Sequence, residues 1–517
     1  MIKKIADFDW HRGKNGYVFN DTGNADKIKG LLNSTGCGFC LAKFRQVTLH
    51  LGTGMTHSCH HPSPHKIPLD ELQDNPAALF NTQHLKQARK QMLNNERPAE
   101  CDYCWRVEDD GGTSDRTYKS LESWALPDHD KIAQLKGDED IYPSYLEVSF
   151  SNVCNMKCTY CGPEFSSKWV EELKKDGPVK LLEGTKHEQW SHGYQDLDAL
   201  NIKNRDYNPY VDAFWKWFPD ALPHLKHYRI TGGEPLMSKE TFKSMDWLID
   251  NPNRDMEFSI NSNFSVPDKL WDKFIDKLVL LKQDKVKKIT IYTSIEGWGE
   301  RAEYARTGLD FELLLKRYEQ ILQLGNVRCV IMAAYNIFSI TSMTQMLEWL
   351  HTMKIRYNPN DSAVKWENDT GYQIQPRKNG FQERQAANPD HNAIVGVDIP
   401  YLRHPTFLDA QLATDELVND YMLPTMNYLA EHVTFNQWNS HQGFEDFEVE
   451  KYKRIVMHRM YYNREGKQDK EVEVQRAKFY EFVNNMDKRR GTDFLSVFPE
   501  MKEFYDLCEA CFKRVLP

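Results

Sequence analysis

Between residues 144 and 353 the chain alternates, five times over, a short stretch rich in β-branched and aromatic residues with a longer one of helical period. The strand-like stretches are SYLEVSFS (144–151), KHYRITG (226–232), MEFSINS (256–262), KKITIYTS (287–294) and VRCVIMAA (327–334). Each has the length and composition of a strand. After them come EFSSKWVEELKK, SKETFKSMDWLID, PDKLWDKFIDKLVLL, DFELLLKRYEQILQL and ITSMTQMLEWLHTM, several opening on Ser, Pro or Asp, residues suited to helix starts. Repeated strand–helix units predict a parallel sheet with covering helices, because a parallel crossover needs a long connection. Periodicity alone leaves two forms open, a flat sheet and a barrel.

The 517 residues allow two to four domains, at about 100–200 residues each. Residues 1–135 hold five cysteines and read as a separate module; 136–400 carry the strand–helix units; 401–517 are charged and helical. Two polar stretches, 176–210 and 357–393, break the rhythm. Connections of that length are binding loops or flexible excursions. The net charge is −9 and no Lys/Arg run stands out, which counts against nucleic acid as a partner. There is no export-type apolar region near the start and no long uninterrupted apolar run, so a soluble chain without a membrane span is expected.

Eleven cysteines stand at positions 37, 40, 59, 101, 104, 154, 158, 161, 329, 508 and 511. Cys329 lies in the apolar NVRCVIMAAY and reads as core. The other ten fall in three groups, which in a large chain without an export signal points to metal or redox chemistry. Cys154, Cys158 and Cys161 are packed into eight residues directly after the first strand. A structural zinc ion takes four ligands, and this loop offers three. Three thiolates suit three corners of an iron–sulfur cubane, leaving one iron open. The carboxyl end of a parallel strand is also where such folds keep their chemistry.

The CxxxCxxC loop, with Tyr160 before its last cysteine, resembles that of the radical S-adenosylmethionine (SAM) enzymes. Three further stretches resemble that superfamily in the same order. TGGEP (231–235) follows the second strand and is similar to its GGEP motif, implying that Gly232, Gly233, Glu234 and Pro235 serve the SAM amino group. SINSNF follows the third and offers Ser259, Asn261 and Asn263 to the ribose. TSIEGWGERAEYARTG follows the fourth and supplies Ser294, Glu296 and Arg306, the last for the SAM carboxylate. Met332 on the fifth strand fits the wall beside adenine. The resemblance implies a partial (β/α)6 TIM-like barrel and a [4Fe–4S] cluster on Cys154, Cys158 and Cys161. SAM chelates the open iron of such a cluster. Its reductive cleavage there gives a 5′-deoxyadenosyl radical that abstracts hydrogen from a substrate.

The N-terminal cysteines resemble the auxiliary-cluster module of SPASM/twitch radical SAM proteins, in its smaller twitch form. Cys40, a hairpin turned by LGTG, Cys59 and the pair Cys101/Cys104 follow that pattern, with DDGGTSDR after the pair. This implies a second, fully ligated [4Fe–4S] cluster for electron transfer or positioning. The module precedes the barrel, whereas the more familiar order is the reverse. The competing reading is a zinc site on Cys37, Cys40, Cys101 and Cys104; it uses Cys37 and spares Cys59, and its 60-residue gap is long for a zinc ribbon. His57, His60, His61 and His65 read as a solvated loop or substrate contacts rather than a metal site. Glu164 and Lys168 read as helix surface, and Cys508 and Cys511 as thiols without an essential ligand role.

The resemblance covers most of residues 37–340 and sets the reaction class rather than the substrate. The expected substrate is a peptide or protein side chain, although no precursor-peptide recognition module is visible. The alternatives are a small molecule, such as an aminated sugar or nucleoside, and a non-catalytic iron–sulfur or zinc scaffold. No residue stands out as a catalytic acid or base. A reducing partner such as a flavodoxin or ferredoxin is implied, and oxygen-sensitive clusters make the cytoplasm the natural compartment.

Overall fold

The computed structural model describes residues 12–13, 16–17, 22–179, 181–182, 197, 200–203, 205–358, 394–433, 442–462 and 469–515. Much of the two polar stretches, 176–210 and 357–393, lies outside the described residues.

Nine strands make one sheet. In chain order they are β1 (Gln46–His50), β2 (Met55–His57), β3 (His65–Lys66), β4 (Tyr145–Ser149), β5 (His227–Thr231), β6 (Asn253–Ser262), β7 (Val286–Ser294), β8 (Val327–Met332) and β9 (Val395–Asp398). Their order across the sheet is β9-β8-β7-β6-β5-β4-β1-β2-β3. The strands from β9 through β1 all run parallel. Only the pairings β1–β2 and β2–β3 at the edge are antiparallel. The fold class is therefore α/β with a mixed, mainly parallel sheet.

All five expected strands form. β9 is the sixth of the series; its four residues, VGVD, follow a long polar stretch and carry little strand signal of their own. The expected LGTG turn joins β1 to β2, with Gly54 at φ +66. The boundary drawn at residue 135 does not interrupt the sheet, because β1 pairs with β4 from Gln46↔Tyr145 to His50↔Ser149. The N-terminal cysteine-rich segment thus docks by adding a parallel strand to the sheet's edge. Its helical part keeps a small core of its own around Phe39, Phe44, Trp105 and Trp124.

Helices follow the strands: α1 (Leu41–Arg45), α2 (Asp102–Asp109), α3 (Asp115–Leu121), α4 (Ser167–Asp176), α5 (Pro209–Ala221), α6 (Lys239–Asp250), α7 (Asp268–Leu281), α8 (Phe311–Gln323), α9 (Met343–Tyr357), α10 (Asp446–Tyr462), α11 (Asp469–Arg490) and α12 (Lys502–Val515). The start signals do their expected work: Ser166, Ser238 and Asp310 each accept a backbone N–H in the first turn of α4, α6 and α8. Glu164 lies exposed in the turn before α4, and Lys168 pairs with Glu171 on its surface.

Alternate side chains on a strand point to opposite faces. On β4, Leu146 and Val148 are fully buried, whereas Tyr145, Glu147 and Ser149 are half-buried. β5 repeats this, with Tyr228 and Ile230 inside and His227, Arg229 and Thr231 on the other face. A sequential parallel order with right-handed crossovers puts the helices on one face. The opposite face is polar. Residues 401–517 join the main core through Phe479, Phe482, Phe494, Phe498 and Phe504. Among the described residues no helix is long and apolar enough to cross a membrane.

Candidate functional site

The cysteine loop, the GGEP turn, the SINSNF stretch and the segment leading to Arg306 lie at or after the carboxyl ends of successive parallel strands, so these four reach the same edge of the sheet. The three-cysteine loop leaves β4 there and is held from three sides. Gly233 and Glu234 donate their N–H groups to Ser151 O (3.2 Å) and Val153 O (2.7 Å). A Cβ on Gly233 would stand 2.5 Å from Val153 O and 2.7 Å from the Asn152 backbone. Only glycine permits that approach. On the opposite side Lys157 N–H donates to Thr307 O (3.1 Å) and Thr159 N–H to Ala305 O (2.8 Å). Trp169 of α4 donates its indole N–H to Cys158 O at 2.8 Å. The loop is clamped between the GGEP turn and the segment carrying Arg306.

Tyr160, Glu296 and Arg306 come together in a buried chain. Tyr160 donates its hydroxyl to Glu296 Oε1 at 2.6 Å. Arg306 grips the same carboxylate with Nε (2.7 Å) and Nη2 (2.6 Å), and its Nη1 stands 3.6 Å from Cys158 Sγ. Burial works against the Arg306 charge, but Glu296, Tyr160 and Cys158 outweigh it and hold the guanidinium well above its usual range. Burial likewise drives the Tyr160 hydroxyl far up.

Glu234 is 2 % exposed, and its carboxylate accepts from Asn263 N (2.7 Å), Ser262 Oγ (2.9 Å) and Leu236 N (3.0 Å). Within the chain it ties the GGEP turn to the end of β6; Pro235 opens a short turn at the position whose N–H would have no partner. Asn263 donates to Asn155 Oδ1 at 2.9 Å inside the cysteine loop and lies 4.0 Å from Cys154 Sγ. Asn261 accepts from Arg229 Nε at 3.0 Å, and the Arg229 guanidinium covers the Tyr292 ring. Ser294 and Met332 are register partners at the ends of β7 and β8. Ser259 lies deeper, beside Thr290; four residues along β6 from Asn263, it is about 13 Å farther from the mouth.

The loop thiols resist ionisation. Burial and then Cys158 push Cys154 up to about 12; burial, Cys158 and Cys154 push Cys161 higher. Arg306 opposes the rise at Cys158. Thiols gathered this way become ligating thiolates when a cationic centre holds them ionised. Their spacing bears on which centre fits. Four thiolates on one tetrahedral zinc ion, with bonds of about 2.3 Å, stand about 3.8 Å apart. A cubane carries each sulfur on a different iron and keeps them farther apart. Among the described residues, no three cysteine sulfurs lie within 4.8 Å of one another. The gathered thiols therefore do not stand at the spacing of a single tetrahedral zinc ion at either site.

Cys40, Cys59, Cys101 and Cys104 line one pocket together with Lys43, Arg116 and Trp105. Burial first, then neighbouring thiols, raise Cys59; burial raises Cys101, with Lys43 opposing and Cys40 adding to the rise; both end at about 12. Cys37 stands apart, its backbone N–H and thiol both bound to Asn95 at 2.8 and 3.1 Å. The structure therefore gathers the set with Cys59 rather than the set with Cys37. The stretch after Cys104 folds into the pocket wall. Ser114 Oγ (2.5 Å) and Arg116 Nε (2.8 Å) converge on Glu108 Oε1, and Arg116 Nη1 reaches Phe39 O at 2.8 Å. Gly111 turns the chain there at φ +83. Burial and then Cys40 raise the Cys104 thiol, opposed by the Arg116 N–H and the Ser114 hydroxyl. Cys508 and Cys511 are buried on α12, where each is the other's neighbour beside Arg476.

Three groups of residues escape the motif reading. Lys43, 2 % exposed and paired with Glu100, sits beside Cys101 and Cys59. Arg490, from α11, reaches Glu172 and Thr307, which flank the cysteine loop. The half-buried polar face bearing Glu147, Arg229 and Tyr292 is visible in sequence only as the alternation in YLEVS and HYRIT. The histidines do not share one role: His50 and His57 meet Nε2 to Nε2 at 3.1 Å, His65 stacks on His84, and His60 and His61 turn to Asp115. Comparison with protein-family models, with curated proteins and with solved structures finds no match.

Proposed function

We propose that the chain is a radical SAM enzyme, its sheet curled into a partial (β/α)6 barrel, with a twitch-type auxiliary [4Fe–4S] site at its N-terminal side. The observation that carries this reading is the convergence of Tyr160, Glu296 and Arg306 on Cys158 at the sheet's carboxyl edge. When bound, a [4Fe–4S] cluster with SAM on its open iron supplies the electron for reductive cleavage of the sulfonium.

The chain's own residues orient and exclude. Cys154, Cys158 and Cys161 hold the cluster on a loop whose backbone is fixed at residues 151, 153, 157 and 159. Arg306, fastened by Glu296, directs Nη1 toward the cluster side and suits the SAM carboxylate. The GGEP turn and Asn263 line the loop's other flank and suit the amino group and ribose. Trp169 beside the loop and Met156 and Tyr160 within it pack into the main core. Cys40, Cys59, Cys101 and Cys104 hold the auxiliary cluster in a pocket with the Lys43 cation nearby.

The proposed substrate is a peptide or protein side chain. A second reading, a small polar molecule such as an aminated sugar or nucleoside, is favoured by the charged face of the sheet, where Glu147 and Arg229 are half-buried and in register. A flavodoxin or ferredoxin in the cytoplasm would supply the electron. Anaerobic incubation with SAM and dithionite tests the reaction class. The reconstituted protein is expected to release 5′-deoxyadenosine, and Cys158→Ala to release none. No release from the reconstituted wild-type chain would overturn the assignment.

A further inference from the structure

His60, His61 and Asp115 lie outside both cysteine sets, and neither the proposed reaction nor either proposed cluster uses them. His60 Nε2 is 3.0 Å and His61 Nε2 2.7 Å from the same oxygen, Asp115 Oδ2. All three ligand atoms fall within 4.8 Å of one another, and among the described residues no other such group exists.

The chain bends through residues 58–62, and the rings of His60 and His61 turn toward each other, with centroids 4.1 Å apart. Hydrogen bonds from two imidazole N–H groups to one carboxylate oxygen would account for both contacts; a shared ion brings the same three atoms together. Two donors at neighbouring positions of an octahedral ion, with bonds of about 2.0–2.2 Å, stand about 2.8–3.1 Å apart. The His60 edge, 3.0 Å, lies in that range, and the His61 edge, 2.7 Å, falls just short of it.

The arrangement is also partly fixed in advance. The His61 ring is stacked on Tyr103 at 3.9 Å and 15°, and its side chain is 11 % exposed. Asp115 opens α3 directly after Ser114, whose hydroxyl is fastened to Glu108. His60, at 58 % exposure, leaves the outer side open to solvent, where water or a substrate oxygen could complete the coordination.

We propose that His60, His61 and Asp115 bind one divalent first-row transition metal ion as a two-histidine, one-carboxylate face at the rim of the auxiliary cysteine pocket. Imidazole with carboxylate suits Fe²⁺, Mn²⁺ or Zn²⁺. Each protein ligand would lose or lack its proton and leave positions open on the solvent side.

Manganese is the probe, because free aqueous Mn²⁺ has a room-temperature EPR signal that binding suppresses. The full-length chain, treated with chelator and then titrated with Mn²⁺, is expected to take up one equivalent. Asp115→Asn and His61→Gln are each expected to weaken uptake about 100-fold, since even outer partners of a metal site cost 10–100-fold. His60→Gln, at an exposed side chain, gives the same test should either of the others fail to fold. A chain carrying Cys40→Ala and Cys101→Ala, which lacks the auxiliary cluster beside the site, is expected to bind Mn²⁺ as the wild type does, so failure of the cluster reading leaves this result unchanged. A wild-type chain that leaves Mn²⁺ free, or variants that bind it equally well, would overturn the site.

Discussion

Arg306 has Glu296 on two of its nitrogens and Cys158 facing the third, at 6 % exposure. Lysine keeps the charge but cannot form the two-point grip. Arg306→Lys is therefore expected to weaken SAM binding at least about tenfold, read by calorimetry on the reconstituted protein. Gly233→Ala drives a methyl into the backbone of Asn152 and Val153. It is expected to halve the iron content, from about eight to about four per chain, by displacing one cluster loop only. Glu234 gives a pH signature. Burial holds its carboxyl up at about 7 although Asn263, Leu236 and Ser262 donate to it. An acid raised by folding costs stability once ionised, so the cost is absent below the unfolded value near 4.5 and grows up to about 7. Relative to Glu234→Gln, the wild-type apoprotein is expected to lose about 3 kcal/mol across that window, measured by urea unfolding. Cysteine spacing and the GGEP turn are legible in sequence because each is local. Asp115 is not, since it meets His61 across 54 positions.

At the scale of elements, α11 braces the cysteine loop. Its last residue, Arg490, bonds Glu172 of α4 at 3.2 Å, with both side chains 2 % exposed, and Thr307 at 3.0 Å. Its guanidinium also covers the Trp169 ring at 4.8 Å. Glu172 in turn pairs with Lys157, between Cys154 and Cys158. Removing one partner of a buried pair leaves the other charge uncompensated. Arg490→Met is expected to cost about 3 kcal/mol, since Lys157 still faces Glu172, and denaturant unfolding measures it. Iron on the Cys154 loop should fall while the auxiliary site keeps its iron. No motif announces this brace, because Arg490 and Glu172 are 318 positions apart. The five parallel strands were open to sequence reading through their β-branched runs, whereas β9 and the docking of β1 on β4 depend on pairing between distant segments.

For the whole molecule, the β1–β2 hairpin lies between Cys40 and Cys59, and the Cys154 loop follows β4, the two joined in one sheet through β1 and β4. That continuity brings a segment placed before the strand–helix units to the sheet's carboxyl edge: β1 ends at His50 beside Ser149, where the cysteine loop begins. The central claim concerns one iron without a protein ligand. The most direct measurement is Mössbauer spectroscopy of ⁵⁷Fe-reconstituted chain carrying Cys40→Ala and Cys101→Ala, so that only the Cys154 loop holds iron. On adding SAM, one iron in four is expected to change its isomer shift while three stay as they were. A spectrum unmoved by SAM, or one showing only mononuclear iron, would contradict the claim.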